Sequence, residues 1–362
     1  AGRKGRQSMS RFLSKTLAGV QPYNPGEQPT GQKYIKLNTN ESPYPPSPWV
    51  AEALTGEELD HLRLYSDPTC ADLLHAIATR WQLQPAQIMP GNGSDENLFF
   101  ALRAFCDANT PLACADVTYG CYRVWAGLLH IPLHILPLAA DFTLDPKAYY
   151  GLNETIVLAN PNAPTGLALP RAEIEKIVQS NPGGVVIVDE AYVDFGAESC
   201  VPLIGRYKNL LVVQTFSKSR SLAGARLGFA MGDAELIADL NRVKFSINPY
   251  NINRLTLLAG TAAVSDEEYF RRNCARVIAA RTEARAALEA LGFTVLDSRA
   301  NFLFARTPAM EGGALYRALK EKGVLVRHFD EPRISDWLRI TVGTPAEMQI
   351  LTDTLKTILT EG

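Results

Sequence analysis

Leu210-Leu-Val-Val-Gln-Thr-Phe-Ser-Lys-Ser-Arg-Ser-Leu-Ala-Gly-Ala-Arg-Leu-Gly-Phe229 joins an apolar run to a polar cluster. Leu210 to Val213 are apolar without alternation, the pattern of a strand buried on both faces. Beyond Gln214 come Thr215, Ser217 and Lys218, and Arg226 follows eight residues after the lysine. An amine thus stands among hydroxyls and a guanidinium just past the end of a buried strand. That set suits a lysine that forms a Schiff base beside a phosphate site.

The neighbouring stretches extend the pattern. Gln87-Ile-Met-Pro90, Pro111-Leu-Ala-Cys114, Thr155-Ile-Val-Leu-Ala159 and Gly184-Val-Val-Ile-Val-Asp189 are further short apolar runs. Apolar residues at helical spacing predict helices over 71–81, 97–106 and 171–179. Buried strands alternating with helices predict an α/β fold. Its large domain, residues 51–250, has a mostly parallel sheet covered by helices. After residue 250 the pattern changes. A long amphipathic helix over 265–291 precedes strands at 293–296, 302–304, 324–326 and 337–341, with helices at 314–321 and 345–359. Residues 251–362 therefore read as a smaller α+β domain. Residues 1–50 carry seven prolines between positions 22 and 48, which excludes a long helix. They read as an extended arm with one strand at 34–37, partly joined to the small domain. Such an arm needs a surface to lie on, for instance that of a second subunit.

The 362 residues exceed one compact core. A formal net charge of −2, with neither a basic half nor a basic tract, argues against a nucleic-acid or anionic-membrane binder. No run of ~18 apolar residues predicts a membrane-spanning helix. The basic start, residues 1–10, lacks the apolar stretch of a signal peptide, and Met9 reads as a candidate natural start. Six cysteines show no C-x-x-C spacing and read as reduced core residues of a cytoplasmic protein. His130 and His134 have ligand-like spacing, but Pro132 interrupts it, so no metal is expected.

Ligands of open α/β sheets bind beyond the carboxyl ends of the strands, and polar residues gather there. Asp189 ends one run and is followed by Glu190-Ala-Tyr192. Asn160, Asn162 and Thr165 follow another, and Gly93, Ser94 and Asp95 open a helix after a third. Pyridoxal 5'-phosphate (PLP) gives each a task. A carboxylate, Asp189, keeps the ring nitrogen protonated. A phenol, Tyr192, donates to the ring oxygen O3'. The phosphate takes backbone N–H groups at Gly93, Ser94 and Asp95, with Thr215, Ser217 and Arg226 around it. Tyr119 offers an aromatic face to the ring. Singly, these residues have structural explanations: a strand-end lysine is ordinarily solvated, an Asp-Glu pair caps a turn, and a tyrosine fills a core. Their joint occurrence in chain order selects PLP chemistry. A nicotinamide-dependent oxidoreductase is disfavoured, because Glu96 stands where a dinucleotide fingerprint has its third glycine.

With these motifs the chain resembles the fold-type I PLP-dependent aminotransferases, and within them the histidinol-phosphate aminotransferases, from about residue 17 to residue 359. The resemblance is carried by Leu37-Asn-Thr-Asn-Glu-Ser-Pro-Tyr44, Gly91-Asn-Gly-Ser-Asp-Glu96, Asn160-Pro-Asn-Ala-Pro-Thr-Gly166, Val188-Asp-Glu-Ala-Tyr192, Ser217-Lys218 with Arg226, and Leu338-Arg-Ile-Thr-Val-Gly343. It implies that Lys218 holds PLP covalently. It also implies a homodimer in which Tyr65 reaches the cofactor phosphate of the partner subunit. Arg339 would receive a substrate carboxylate, and Tyr23, Arg327 and Arg339 the phosphate of histidinol phosphate. The partners implied are a small amino donor and a 2-oxo acid acceptor. Alternatives are an aromatic amino acid aminotransferase, a threonine-phosphate decarboxylase and, from another class, a non-catalytic PLP-binding regulatory protein. One position departs from the family. Ala163 stands where an asparagine usually donates to O3', leaving Tyr192 as the main donor and Asn162 as a candidate to compensate through a local backbone change.

Overall fold

The computed structural model describes residues 10–361 apart from 29, 30 and 32. Met9 and the preceding basic residues lie outside the described residues.

After a two-residue strand β1 (Ile35–Lys36), the chain builds a seven-stranded sheet. Its strands are β2 (Ile88–Gly91), β3 (Leu112–Ala115), β4 (Leu133–Leu136), β5 (Thr155–Ala159), β6 (Val186–Asp189), β7 (Leu210–Thr215) and β8 (Gly228–Gly232). Their spatial order is β2-β8-β7-β6-β5-β3-β4. All run parallel except β8, which is antiparallel to both of its neighbours. The expected mostly parallel sheet is therefore present, with two strands the sequence reading lacked. Edge strand β4 is half-exposed along its length, so it carries no buried apolar run. Strand β8, Gly-Phe-Ala-Met-Gly, has no β-branched residue and so no strand signature.

Alternation of side chains along the central strands divides the core in two. Ile156, Val186, Val188, Leu210 and Val212 face one way, against α3 (Ala71–Trp81), α6 (Arg171–Ser180) and α8 (Arg254–Ser265). Val157, Ile187, Leu211 and Val213 face the other, against α4 (Ser94–Phe105), α5 (Cys121–Leu129) and α7 (Ala234–Ile247). Two short helices, α1 (Pro48–Ala53) and α2 (Gly56–Asp60), precede α3.

Helix α4 begins three residues before the expected residue 97. Gly93 supplies its N-cap at φ +91°, a conformation that L side chains rarely adopt, and the acidic Asp95 and Glu96 suit the positive first turn. A Cβ on Gly228 would lie 2.3 Å from the Ser94 amide nitrogen. That glycine lets β8 reach the start of α4.

The second unit opens with helix α9 (Glu267–Ala290), close to the expected span. Strands β9 (Thr294–Val295), β10 (Phe302–Arg306), β12 (Arg327–His328) and β13 (Leu338–Thr341) form an antiparallel sheet in the order β12-β13-β10-β9. Helices α10 (Gly312–Glu321) and α11 (Pro345–Glu361) cover it. The arm joins this unit: β1 pairs in parallel with β11 (Val324–Leu325), and Leu37 enters the same core. Helix α8, by contrast, packs on the large sheet through Ala259, Ala263 and Val264. We propose that the two units divide at Asp266, the N-cap of α9, rather than at residue 250. Phe270, Cys274 and Val277 of α9 pack with Tyr44, Phe195 and Val342 and bind the units together.

Among the described residues no helix is long and apolar enough to cross a membrane, and no cluster of His, Cys, Asp or Glu could hold a metal. His130 caps α5 and His134 lies in β4, bonded to Glu154.

Candidate active site

The carboxyl ends of β5, β6 and β7 open into a cavity of about 360 Å³. Its walls include Asp189, Tyr192, Thr215, Ser217, Lys218, Arg226, Ser94, Asp95 and Tyr119. These come from five separate stretches of chain that the sheet order brings together.

Lys218 lies in the turn between β7 and β8, half-buried, with Nζ 3.3 Å from the Thr39 carbonyl oxygen. Burial brings its pKa down to about 8; the Arg339 charge acts in the same direction, while Asp95 and Glu41 oppose it. The turn is tied down by the Ser219 hydroxyl, which donates to Asp194 at 2.5 Å, on the turn that follows Tyr192. An amine with this pKa is half in its neutral, nucleophilic form at about pH 8. Covalent capture of PLP by the cofactor-free protein should therefore accelerate as pH rises through 8 and level off above it. Stopped-flow absorbance between pH 6.5 and 9.5 reads this directly, and a flat profile contradicts the assignment of the amine.

Asp189 closes β6 at the cavity floor, 5% exposed. Its Oδ2 accepts from the Tyr122 hydroxyl at 2.6 Å and its Oδ1 from the Ala191 amide at 3.2 Å. Burial raises its pKa to about 6, against the pull of those two donors. Glu190, the next residue, lies outside this lining. Its carboxylate accepts from Gln214, Ser199 and the Cys200 amide. Only the first carboxylate of the Asp-Glu pair serves the cavity.

Tyr192 accepts from the Asn40 amide at 2.9 Å, which leaves its own hydroxyl hydrogen free to donate. Burial pushes its pKa up and keeps it protonated. Ala163, 6% exposed, packs with Ala300 and Phe302 beside Tyr192 and offers no donor. Asn162 does not replace the missing amide. It accepts from Thr118 at 2.8 Å and donates to the Val117 carbonyl at 2.9 Å and to Thr165 at 3.1 Å.

At the opposite end, the first turn of α4 has Gly93 as N-cap and no side-chain cap, so its N–H groups are available to an anion. The Thr215 and Ser217 hydroxyls lie 3.0 Å apart beside it. Arg226, at φ +54°, reaches Ser217 at 3.4 Å and Asp95 at 3.3 Å. Asp95 also accepts from the Tyr119 hydroxyl at 3.0 Å. Its side chain thus orients Tyr119 and Arg226, while its backbone belongs to the helix start.

A second cleft of about 870 Å³ adjoins the cavity and shares Tyr23, Pro25, Tyr119, Ala163 and Arg339 with it. Arg339, on β13, donates through Nη2 to the Asn38 carbonyl at 3.1 Å. Its Nε is buried without a partner. Arg327 lines the cleft, but its guanidinium donates to the arm carbonyls of Asn24 and Pro25 at 3.0 and 3.3 Å. Tyr23 meets Tyr119 edge-on at 5.8 Å. Tyr65 lines neither space. It is 81% exposed and stacks on Tyr250 at 4.5 Å.

Sequence reasoning missed Tyr122 and Asn40. Tyr122 and Trp125 stand three residues apart in α5, with Tyr119 just before it, a spacing that makes them neighbours but equally describes a core. Asn40 is 152 residues from its partner Tyr192, and no local pattern reports such a contact.

The donor set fits PLP. An uncapped helix start with hydroxyls and a guanidinium suits the phosphate. A buried carboxylate suits the ring nitrogen, and a neutral phenol suits O3'. An amine of lowered pKa suits the aldehyde, and Arg339, whose Nε has no partner, lines the same space.

A lysine, a carboxylate and an arginine around the strand ends of such a sheet mark a PLP-dependent transferase. The chain belongs to the aminotransferase class I and II family, whose sequence profile matches residues 32–355. It is 52% identical over 353 residues to the histidinol-phosphate aminotransferase of Marinomonas sp. (strain MWYL1), covering 97% of this chain and all of that protein. It is 47% identical over 352 residues to that of Brachyspira hyodysenteriae (strain ATCC 49526 / WA1), covering 97% and 99%. Among solved structures, histidinol-phosphate aminotransferase from Sinorhizobium meliloti in complex with PLP shares the fold. Its TM-score is 0.86 at 23% identity, over 98% of this chain and 99% of that one.

Proposed function

We propose that this chain transfers the amino group of histidinol phosphate to 2-oxoglutarate with PLP as cofactor, giving imidazole-acetol phosphate and glutamate. The observation that carries the reading is the junction of two spaces. A cavity bearing Lys218, Asp189 and Tyr192 opens into a cleft bearing Arg327 and Arg339. The amine can meet an incoming substrate amine, and Arg339, common to both spaces, can meet a phosphate or a carboxylate.

PLP bound here supplies an electron sink conjugated to the substrate nitrogen. The chain supplies everything else. Lys218 would hold the cofactor, and its Nζ would serve as the base for the proton on the substrate Cα. Asp189 keeps a proton on the ring nitrogen. Tyr192, held by Asn40, donates to O3'. With Ala163 in place of an amide donor, that oxygen loses one bond, worth about 1 kcal/mol. The start of α4, Thr215, Ser217 and Arg226 hold the cofactor phosphate. Arg339 receives the phosphate of the donor and the carboxylate of the acceptor in turn. Arg327 pins the arm residues 24 and 25 that roof the cleft. One equivalent of imidazole-acetol phosphate per site should appear when the loaded enzyme meets histidinol phosphate without an acceptor. Absence of product contradicts the substrate.

The working unit of this reading is a homodimer. Exposed apolar side chains gather at Trp49, Leu59, Leu62, Leu64 and Tyr65 and at Phe245, Ile247 and Tyr250. The Tyr65–Tyr250 stack joins the two groups. A site completed by Tyr65 of the other subunit accounts for an exposed tyrosine outside the lining of its own cavity. Mixed dimers of Tyr65→Phe and Lys218→Ala subunits then hold one intact site and should recover part of the activity. No recovery contradicts the shared site. The six cysteines, all buried and unpaired, support a reducing, cytoplasmic setting.

A further inference from the structure

We infer that Tyr122 is a positioning residue for the cofactor: it holds the Asp189 carboxylate ionised and correctly turned toward the ring nitrogen. The inference rests on Asp189 as the partner of that nitrogen.

Tyr122 is among the largest fully buried side chains of the protein, at 0% exposed. Its hydroxyl lies 2.6 Å from Asp189 Oδ2. The ring is wedged in an aromatic layer, 5.5 Å from Tyr119 and 6.3 Å from Trp125. The Ala191 amide donates to the other oxygen, Oδ1, at 3.2 Å. Two donors on different oxygens fix rotation of the carboxylate, which neither could do alone.

A carboxylate at this depth prefers the neutral form, because burial removes the water that would stabilise its charge. A neutral acid would leave the ring nitrogen without its counter-charge. The hydroxyl bond favours the ionised form, as does Lys218, while Asp95 opposes it. Tyr122 remains neutral because burial and the Asp189 charge both raise its own pKa far above the ordinary phenol value; Tyr119 and Cys114 act in the same direction. The bond is therefore a hydroxyl donating to a carboxylate.

The test compares PLP with its 1-deaza analogue, which keeps the aldehyde and phosphate but carries C–H in place of the ring nitrogen. In Tyr122→Phe the PLP dissociation constant should rise about ten-fold, the scale of a hydrogen bond to a buried charge. That for the deaza analogue should change less than about two-fold, since no nitrogen is left to lose its partner. The 15N resonance of ring-labelled PLP should move toward the neutral pyridine position in the same variant. Equal weakening of both cofactors, with an unmoved resonance, overturns the proposal and reduces Tyr122 to packing. Asp189→Asn separates this from the underlying reading. If it abolishes the preference for PLP, Asp189 is the nitrogen partner whatever Tyr122 does; if the preference survives, that assignment itself falls. Should Tyr122→Phe fail to fold, 3-fluorotyrosine at position 122 is a stronger donor of nearly the same shape. It must increase the preference for PLP over the analogue, and an unchanged preference counts against the link.

Discussion

Lys218→Ala enzyme should retain no PLP after borohydride reduction and denaturation, and its turnover should fall by about 10⁴-fold or more. Two tasks rest on the same nitrogen: covalent retention of the cofactor and proton transfer at the substrate Cα. Nothing nearby can take over either. Lys218 is the one amine in the cavity lining among the described residues. Arg226 and Arg339 are cations that keep their protons, and Tyr192 has a raised pKa. The phosphate end of the site does not involve the amine, so the variant should still bind PLP without a covalent bond. Added methylamine should restore part of the turnover by supplying a free base of similar size. The checks are mass spectrometry of the reduced protein and steady-state rates with and without amine. Retained turnover without added amine would sink the mechanism.

Arg339→Ala should lower kcat/KM by about 10² to 10⁴ for both substrates, because a charged, two-pronged hydrogen bond is lost from each. The side chain is prepared for that task. Nη2 is spent on the Asn38 carbonyl at 3.1 Å, and the buried Nε has no partner within the protein. Its guanidinium carbon lies 5.5 Å from the Phe302 ring centre and 5.6 Å from that of Phe329, so aromatic walls hold the plane. Arg339→Lys keeps the charge and loses the fork. It should recover only part of the loss, most of the deficit remaining in KM for 2-oxoglutarate, whose carboxylate matches a planar donor pair. Equal rates for Arg339→Lys and the parent enzyme would mean that Arg339 acts as a charge alone.

The parts of the fold that could be read in the chain are those written in local pattern. Val186 to Asp189 and Leu210 to Thr215 are buried strands with polar termini, so their direction and their role at a crevice follow from sequence. The parts that could not be read depend on distant contacts. Strand β8 has glycines and alanine where a strand signature needs branched side chains. Its first residue, Gly228, packs so closely on the Ser94 amide that no side chain would fit there. Helix α8 has the pattern of any buried helix, and only packing against α3 assigns it to the large sheet. The same distinction holds in the site. Lys218, Asp189 and Tyr192 announce themselves at strand ends. Asn40 and Tyr122 work through a hydroxyl or an amide contributed from far away in sequence, and an aromatic residue at helical spacing looks the same whether or not its hydroxyl has a task. Asn162 carries the opposite lesson. Its amide is next to the gap at Ala163, yet Val117, Thr118 and Thr165 already engage it.

The most direct test of the proposed function is the ratio of kcat/KM for histidinol phosphate to that for phenylalanine, each with 2-oxoglutarate as acceptor. Arg339, at a cleft reached from the Lys218 cavity, favours a donor that carries a phosphate. The loss of a charged hydrogen bond for a donor without one predicts a ratio of about 10² or more. A ratio near or below one would contradict histidinol phosphate as the substrate.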